Sequence, residues 1–189
     1  MRSSPPIVDL PKEQRAVRRQ ATFAFAVCAL ILGIAVFGLP RLFAFPDDLV
    51  ERLTFALRAD LLIGLWVILA VRQVAKIRFE SAEDNAGSAY SRPSARLAVP
   101  AAFLQNTLEQ ALILALGILA LATVPGERPL AYIAASVVLF SLGRVTFLRG
   151  YARGAGGRAF GVATTALPGL GAYLWTIIAV GSELAALAR

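Results

Sequence analysis

Long apolar runs separated by short polar segments dominate the chain. The first uncharged run covers residues 21–40 and is long enough to cross about 30 Å of hydrocarbon as one helix. Four further apolar runs predict helices over residues 53–71, 97–125, 130–148 and 159–182. The pattern therefore predicts an all-α integral membrane protein with five spans.

Turn and capping residues mark the boundaries between these spans. Asp47 or Asp48 is expected to cap the second helix, since each follows Pro46 and precedes the apolar run. The Pro-Gly-Glu-Arg-Pro sequence at 125–129 predicts a tight turn, so the third and fourth spans should run antiparallel. A glycine-rich segment, 150–157, separates the fourth span from the fifth.

The chain divides into three parts on this basis. Residues 1–20 are polar, basic and proline-containing, which predicts a mobile cytoplasmic tail. Residues 21–40 form an additional transmembrane helix, retained rather than cleaved, because the run is long and no small-x-small cleavage site follows it. Residues 47–189 form a four-helix transmembrane domain.

Composition excludes several classes of function. The chain is 58% hydrophobic and 16% charged, which is typical of a membrane protein and unlike a soluble one. The net charge of +7 could indicate nucleic-acid binding, but the basic residues lie between apolar runs, so no nucleic-acid partner is expected. With no histidine and a single cysteine, Cys28, in an apolar run, no metal site is expected either.

The distribution of Lys and Arg predicts the orientation in the membrane. Segments 1–20, 72–96 and 144–158 hold 5, 5 and 4 of the 19 basic residues, and only five lie on the alternate side. Positive charge favours the cytoplasmic side. The N-terminus is therefore expected in the cytoplasm and the C-terminus outside, as for a protein of the bacterial inner membrane.

Two carboxylates lie within predicted spans. Glu109 is the single ionisable residue of 97–126 and follows Asn106 by three positions, so both lie near one helix face. Placing a carboxylate inside a membrane span costs free energy, so such a residue is expected to have a polar partner or a functional role. The pair is either a polar clamp between helices or part of a ligand site. Asp60 is expected to bond to a neighbouring helix or subunit.

The segment 143–161 combines glycine with basic and aromatic residues. Arg144, Phe147 and Tyr151 follow at helical spacing and should line one stripe, and Arg158 falls where the fifth helix should begin. A helix N-terminus and an arginine together would favour an anion there, including an ionised thiol. The alternative is that Arg149, Arg153 and Arg158 are cytoplasmic charges that contact anionic lipid headgroups.

With these motifs, residues 53–182 resemble the MAPEG family, the membrane-associated proteins of eicosanoid and glutathione metabolism. The resemblance rests on Asn-Thr-Leu-Glu at 106–109 and on the arginines, glycine and tyrosine of 144–158, in that order on four spans. Span 21–40 lies outside the family's four helices.

The resemblance implies a homotrimer that binds glutathione between subunits near the cytoplasmic face. It implies that Arg158 stabilises the thiolate, that Asn106 and Glu109 hold the peptide, and that Tyr151 contacts it. Arg72 would reach a glutathione carboxylate or the acceptor, a small hydrophobic electrophile from the bilayer. Arg144 and Arg153 complete the candidate binding residues.

Three positions differ from the pattern common in the family's transferases, namely Ala102, Gln110 and Phe147. Three functions therefore stay open. The first is an enzyme that conjugates or reduces hydrophobic electrophiles with glutathione or a related thiol. The second is a non-enzymatic trimer with an anion or lipid-headgroup site, and the third a small proton-coupled exporter that uses Glu109.

Overall fold

The computed structural model describes residues 9–90 and 92–188, and these fold into five long helices. The helices are α1 (Leu10–Gly38), α2 (Leu49–Glu80), α3 (Ala95–Ala122), α4 (Glu127–Gly150) and α5 (Gly154–Leu187). Two 3₁₀ turns, Leu39–Arg41 and Tyr151–Arg153, follow α1 and α4. The all-α class predicted from hydropathy is confirmed.

The polar residues at the helix starts act as caps. Asp48 accepts hydrogen bonds from the backbone N–H groups of Val50 (2.9 Å) and Glu51 (3.2 Å), which confirms the capping expected for α2. Ser94 caps α3 in the same way through the N–H of Leu97 (3.2 Å). These bonds satisfy backbone donors that have no partner within their own helix.

Helix α1 begins earlier than the hydropathy pattern predicts. Asp9 accepts from the N–H of Lys12 (3.1 Å), Pro11 lies in the first turn, and the helix continues without a break to Gly38. Residues 10–20, expected as a mobile tail, are therefore the first turns of α1. Residues 1–8 of that predicted tail lie outside the described residues.

Four continuous helical segments are long and apolar enough to cross a membrane, and the last of them is Glu127–Leu187. This last segment folds back at Tyr151–Arg153. Gly150 of α4 faces Gly157 of α5, and at the other end the Tyr132 hydroxyl donates to the carbonyl of Pro168 (2.8 Å). Helices α4 and α5 are thus antiparallel, so the four segments contain the five long helices of the described residues.

Helices α2–α5 enclose the largest apolar core. Side chains from α3 and α4 fill its centre, including the fully buried Leu114, Ile118, Leu130, Ile133 and Phe140. Large apolar side chains on the outer faces are more than half exposed, among them Leu61, Leu65, Ile68, Leu112, Leu174 and Ile177. An apolar exterior around an apolar core is the arrangement of a protein whose solvent is lipid.

Arg52 links the start of α2 to the end of α3 at one side of the bundle. It is almost fully buried at the start of α2, where Nε donates to the carbonyl of Ala122 (2.9 Å) and Nη1 to that of Gly126 (2.7 Å). Nη2 also donates to the carbonyl of Val124. One guanidinium therefore satisfies the carbonyl groups that the end of α3 and the following turn leave without a helical partner.

Helix α1 packs along α5, outside the four-helix core. The Phe23 and Phe160 rings lie 5.5 Å apart, and the buried Cys28 Sγ donates to the carbonyl of Thr164 (3.9 Å). At the start of α1, Glu13 Oε2 accepts a hydrogen bond from the backbone N–H of Gly156 (2.9 Å). The Glu13 carboxylate of α1 thus caps the first turn of α5.

Glycines set the close crossing of α4 and α5. A Cβ atom added at Gly161 would press against the backbone nitrogen of Phe147 and lie 2.6 Å from the carbonyl oxygen of Gly143. At Gly150 it would collide with the carbonyl of Gly157. Only hydrogen side chains let the two backbones approach this closely, as at other small-residue crossings in membranes.

Candidate functional site

The candidate residues lie towards one end of the bundle, here called the basic end. It comprises the start of α1, the loop 81–94 between α2 and α3, and the turn 151–153 between α4 and α5. The structure does not gather all the candidates into one cluster within the chain. It joins a buried network to a stacked pair through an aromatic ring, and it leaves three side chains on separate surfaces.

The buried network is centred on Arg144. This side chain is fully buried, and Nη1 donates to Oδ1 of Asn106 (2.9 Å) while Nη2 donates to the hydroxyl of Thr165 (2.6 Å). A longer bond joins Nη1 to the Thr107 hydroxyl (3.4 Å). Arg144 therefore ties α4 to α3 and α5 and makes the interhelical clamp that was one expectation for Asn106.

Thr107 and Thr165 are the members of this network that the sequence analysis missed. Both are buried, and both lie within apolar spans. Hydroxyl residues often bond across helices in lipid, which is the one signal in the sequence that could have found them.

An aromatic stripe connects the buried network to the basic end. The Arg144 guanidinium lies 5.1 Å from the centroid of the Phe147 ring, and the Phe147 and Tyr151 ring centroids are 5.5 Å apart. The Arg158 guanidinium in turn lies 4.9 Å from the centroid of the Tyr151 ring. The stripe expected from the spacing of Arg144, Phe147 and Tyr151 is present, and Arg158 extends it.

Arg158 lies one turn inside α5 rather than at its start. The helix begins at Gly154, whose positive φ of 80° favours glycine, and Arg153 is the capping residue. The expectation that Arg158 opens the helix is therefore wrong by one turn. The N–H of Gly156 is engaged by Glu13, so a carboxylate of the protein already occupies part of the helix terminus.

Asn106 and Glu109 point in different directions. Asn106 is half-buried against Arg144, whereas Glu109 is exposed on the outer face of α3, where Oε1 accepts from Nε2 of Gln105 (3.1 Å). Residues three apart differ by about 60° around a helix, which is enough to divide them between the core and the surface. The expected pair does not hold one ligand together inside a single protomer.

Arg72 borders a cavity of about 330 Å³ between α2, α3 and α4. Lys76 lies one turn further along α2 in the same wall, and Phe103 and Leu148 supply apolar surface. The cavity pairs two cations with an apolar wall and is open to the outside of the protomer. Arg153 is exposed at the basic end and lines a different cavity, beside α1.

The loop at the basic end is held by a buried carboxylate. Asp84 accepts from the backbone N–H of Ser94 (2.9 Å), from the Ser94 hydroxyl (2.7 Å) and from the Ser81 hydroxyl (3.0 Å). These bonds, first among them the one from the Ser94 N–H, hold the pKa of Asp84 below its usual value. The ionised carboxylate thus fixes the loop to the start of α3.

A metal site has no support in the described part of the chain, where no three His, Cys, Asp or Glu side chains come together as ligands.

Asp60 Oδ1 is buried within α2 and has no hydrogen-bond partner among the described residues. Its expected partner therefore does not come from the described helices of its own chain.

Comparison with known proteins gives one match. Searches of curated proteins and of solved structures return no match. The model of the MAPEG family matches residues 55–178, which include α3 and α4 entirely and most of α2 and α5. The match leaves out α1, as the motif-based resemblance does. With the match covering well over half of its length, the chain belongs to the MAPEG family, and it is an integral membrane protein.

Proposed function

We propose that the protein binds glutathione or a related small thiol and uses it to conjugate or reduce hydrophobic electrophiles drawn from the bilayer. Membership of a family of glutathione and eicosanoid metabolism is the observation that carries this proposal. The arrangement around Arg158 supports it, because a half-buried guanidinium lies beside an aromatic ring at the membrane edge.

Arg158 has the role of stabilising the thiolate. A free thiol has a pKa of about 8.5, and lowering it to about 6.5 requires roughly 2.7 kcal/mol of preferential interaction with the ionised sulfur. A hydrogen bond from a guanidinium contributes on the order of 1.5–3 kcal/mol. Stacking on Tyr151 fixes the orientation of the Arg158 group, so less conformational freedom is lost when the thiolate binds.

The reaction follows from this activation. The thiol proton leaves to solvent, and the thiolate sulfur donates its electron pair to the electrophilic carbon to form a C–S bond. In a displacement the leaving group departs with the electron pair of the broken bond, and in an addition the acceptor takes up a proton. Apolar surface beside Arg72, from Phe103 and Leu148, suits a hydrophobic acceptor.

A complete site requires a second copy of the chain. Glu109 is exposed on the surface of α3 and Asp60 has no hydrogen-bond partner among the described residues, and both lie within spans where such groups are costly. Helix α1 packs on α5 and leaves the outer faces of α2 and α3 open. We therefore propose a homotrimer with contacts along α2 and α3, in which Glu109 and Asn106 hold the peptide of glutathione from neighbouring sides.

The orientation belongs to the same proposal. A cytoplasmic N-terminus places the basic end, with Arg158 and Tyr151, in the compartment that contains glutathione. A topology reporter fused to the C-terminus should then be active only outside the cytoplasm. Activity of the same fusion in the cytoplasm would overturn this orientation.

Titration of glutathione into the purified protein tests binding, and ultraviolet thiolate absorbance against pH tests activation. The Arg158→Gln variant should raise the pKa of the bound thiol by about one to two units, which is roughly 1.4–2.7 kcal/mol. Overall glutathione affinity should fall less, since Asn106, Glu109 and Tyr151 hold the peptide rather than the sulfur.

The matched control is Arg149→Gln, which makes the same charge change at the same end of the bundle, in the last turn of α4, where the arginine does not stack on Tyr151 as Arg158 does. It should leave thiol ionisation nearly unchanged. Equal effects of the two substitutions would favour a diffuse basic patch. Absence of a thiolate signal in the wild-type protein would favour the non-enzymatic trimer. Phe147 is a specific argument for that alternative, because its buried ring carries no hydroxyl group that could contact a bound thiol.

A further inference from the structure

A cleft opens where the start of α1 meets the turn between α4 and α5. Its cavity volume is about 390 Å³, and its walls carry Arg19, Gln20, Thr146, Arg149, Arg153 and Phe160. We call it the basic cleft. It shares no lining residue with the cavity around Arg72, and Arg158 is not among the residues that line it.

The basic cleft has an excess of positive charge. Arg19, Arg149 and Arg153 are all exposed, and in the part of the chain that the structure describes none of them forms an ion pair with a carboxylate. The one carboxylate in the wall is Glu13, and its Oε2 is engaged by the N–H of Gly156 at 2.9 Å. Three arginines and one carboxylate thus line the cleft, which leaves it with a net charge of +2 (three positive charges minus one negative charge).

The cleft lies at the edge of the apolar part of the protein. Arg19 lies two residues before the uncharged run that begins at Ala21, and Arg149 lies in the last turn of α4. Towards the apolar side, Phe160 contacts Phe23 of α1, and Leu142 is 39% exposed one turn below Thr146 on α4. A ligand with an anionic head and an apolar tail matches both parts of this surface, whereas a free anion matches only the first.

We propose that the basic cleft binds the phosphate group of an anionic phospholipid, with the acyl chains against the apolar surface of α1 and α4. Guanidinium groups recognise phosphate through paired N–H donors, and three arginines line this cavity. Arg19 lies in α1, outside residues 55–178, so the site depends on the helix that this chain adds to the family's four.

Native mass spectrometry of the full chain in detergent, with dioleoyl phosphatidylglycerol or dioleoyl phosphatidylcholine added, tests this proposal. The wild-type protein should retain phosphatidylglycerol preferentially. Single substitutions Arg19→Gln, Arg149→Gln and Arg153→Gln should each lower its affinity about fivefold, which corresponds to about 1 kcal/mol per arginine. The triple variant should lose the preference.

The control is Arg92→Gln, which removes one exposed charge from the same end of the bundle but outside the cleft. It should leave the lipid preference unchanged. An equal loss in the control, or no preference in the wild-type protein, would overturn the proposal. Displacement of the lipid by inorganic phosphate would assign the cleft to a free anion instead. None of these results alters the expectation for Arg158, since thiol ionisation is measured separately.

Discussion

The close crossing of α4 and α5 makes Gly161→Ala a sharp test of the fold around the candidate site. The added methyl group would press against the backbone nitrogen of Phe147 and lie 2.6 Å from the carbonyl oxygen of Gly143. Both contacts are to helix backbone, which cannot rotate aside as the end of a flexible side chain can. The two helices must separate to admit the methyl group.

The expected cost comes from two opposing effects. Overpacking a tight site costs about 1–3 kcal/mol, and a clash with fixed backbone belongs at the upper end of this range. Replacing glycine by alanine inside a helix stabilises the folded state by about 0.5–1 kcal/mol, because alanine loses less conformational entropy on folding. We therefore expect Gly161→Ala to lower the free energy of unfolding by about 2 kcal/mol.

Unfolding by a denaturing detergent in mixed micelles measures this free energy. The matched control is Gly33→Ala in α1, outside the proposed subunit contacts, where no atom beyond its own stretch of helix backbone lies within 4 Å of the added Cβ. This control should be neutral or more stable by up to about 1 kcal/mol. If both variants unfold at the same detergent fraction, the backbones of α4 and α5 do not approach as described, and the argument from Gly161 fails.

Three further predictions concern polar groups that fix the helix ends and the core. Arg52→Ala should destabilise the protein by about 3 kcal/mol in the same unfolding assay, because carbonyl groups after α3 lose a charged donor. Arg144→Lys should cost about 1.5–3 kcal/mol, since an ammonium group cannot replace the planar fork that reaches both Asn106 and Thr165. The lowered pKa of Asp84 contributes stability that is present above its unfolded pKa of about 3.9 and is lost as the pH falls through the folded value. Thermal unfolding should therefore show extra stability of the wild-type protein over Asp84→Asn at neutral pH, and this difference should shrink in acid.

The helices and their caps could be predicted from sequence because each depends on neighbouring residues. Apolar runs of sufficient length define the spans, and Asp48 caps α2 through bonds to residues two and three positions away. The family motifs are also local, and they assigned the chain to the correct family. The sequence analysis missed the early start of α1. Hydropathy identifies apolar segments, whereas residues 10–20 are helical but polar.

The arrangement of the candidate residues depends on contacts that spacing does not contain. The spacing of Asn106 and Glu109 puts both near one face, but packing against α4 decides that one meets Arg144 and the other stays outside. In the same way, nothing near Gly156 indicates that its N–H will bind Glu13, which lies 143 positions earlier.

The contact between Glu13 and Gly156 also constrains the order in which the protein assembles. Of the five described helices, α1 is synthesised before the others and its partner α5 after them, so α1 must wait in the bilayer while α2, α3 and α4 are inserted. During this interval its packing face, with Ala24 and Cys28, meets lipid or the insertion machinery rather than α5. The lateral docking of α1 on α5 therefore follows the insertion of the three helices between them, and Glu13 can cap α5 only after the start of that helix has been made.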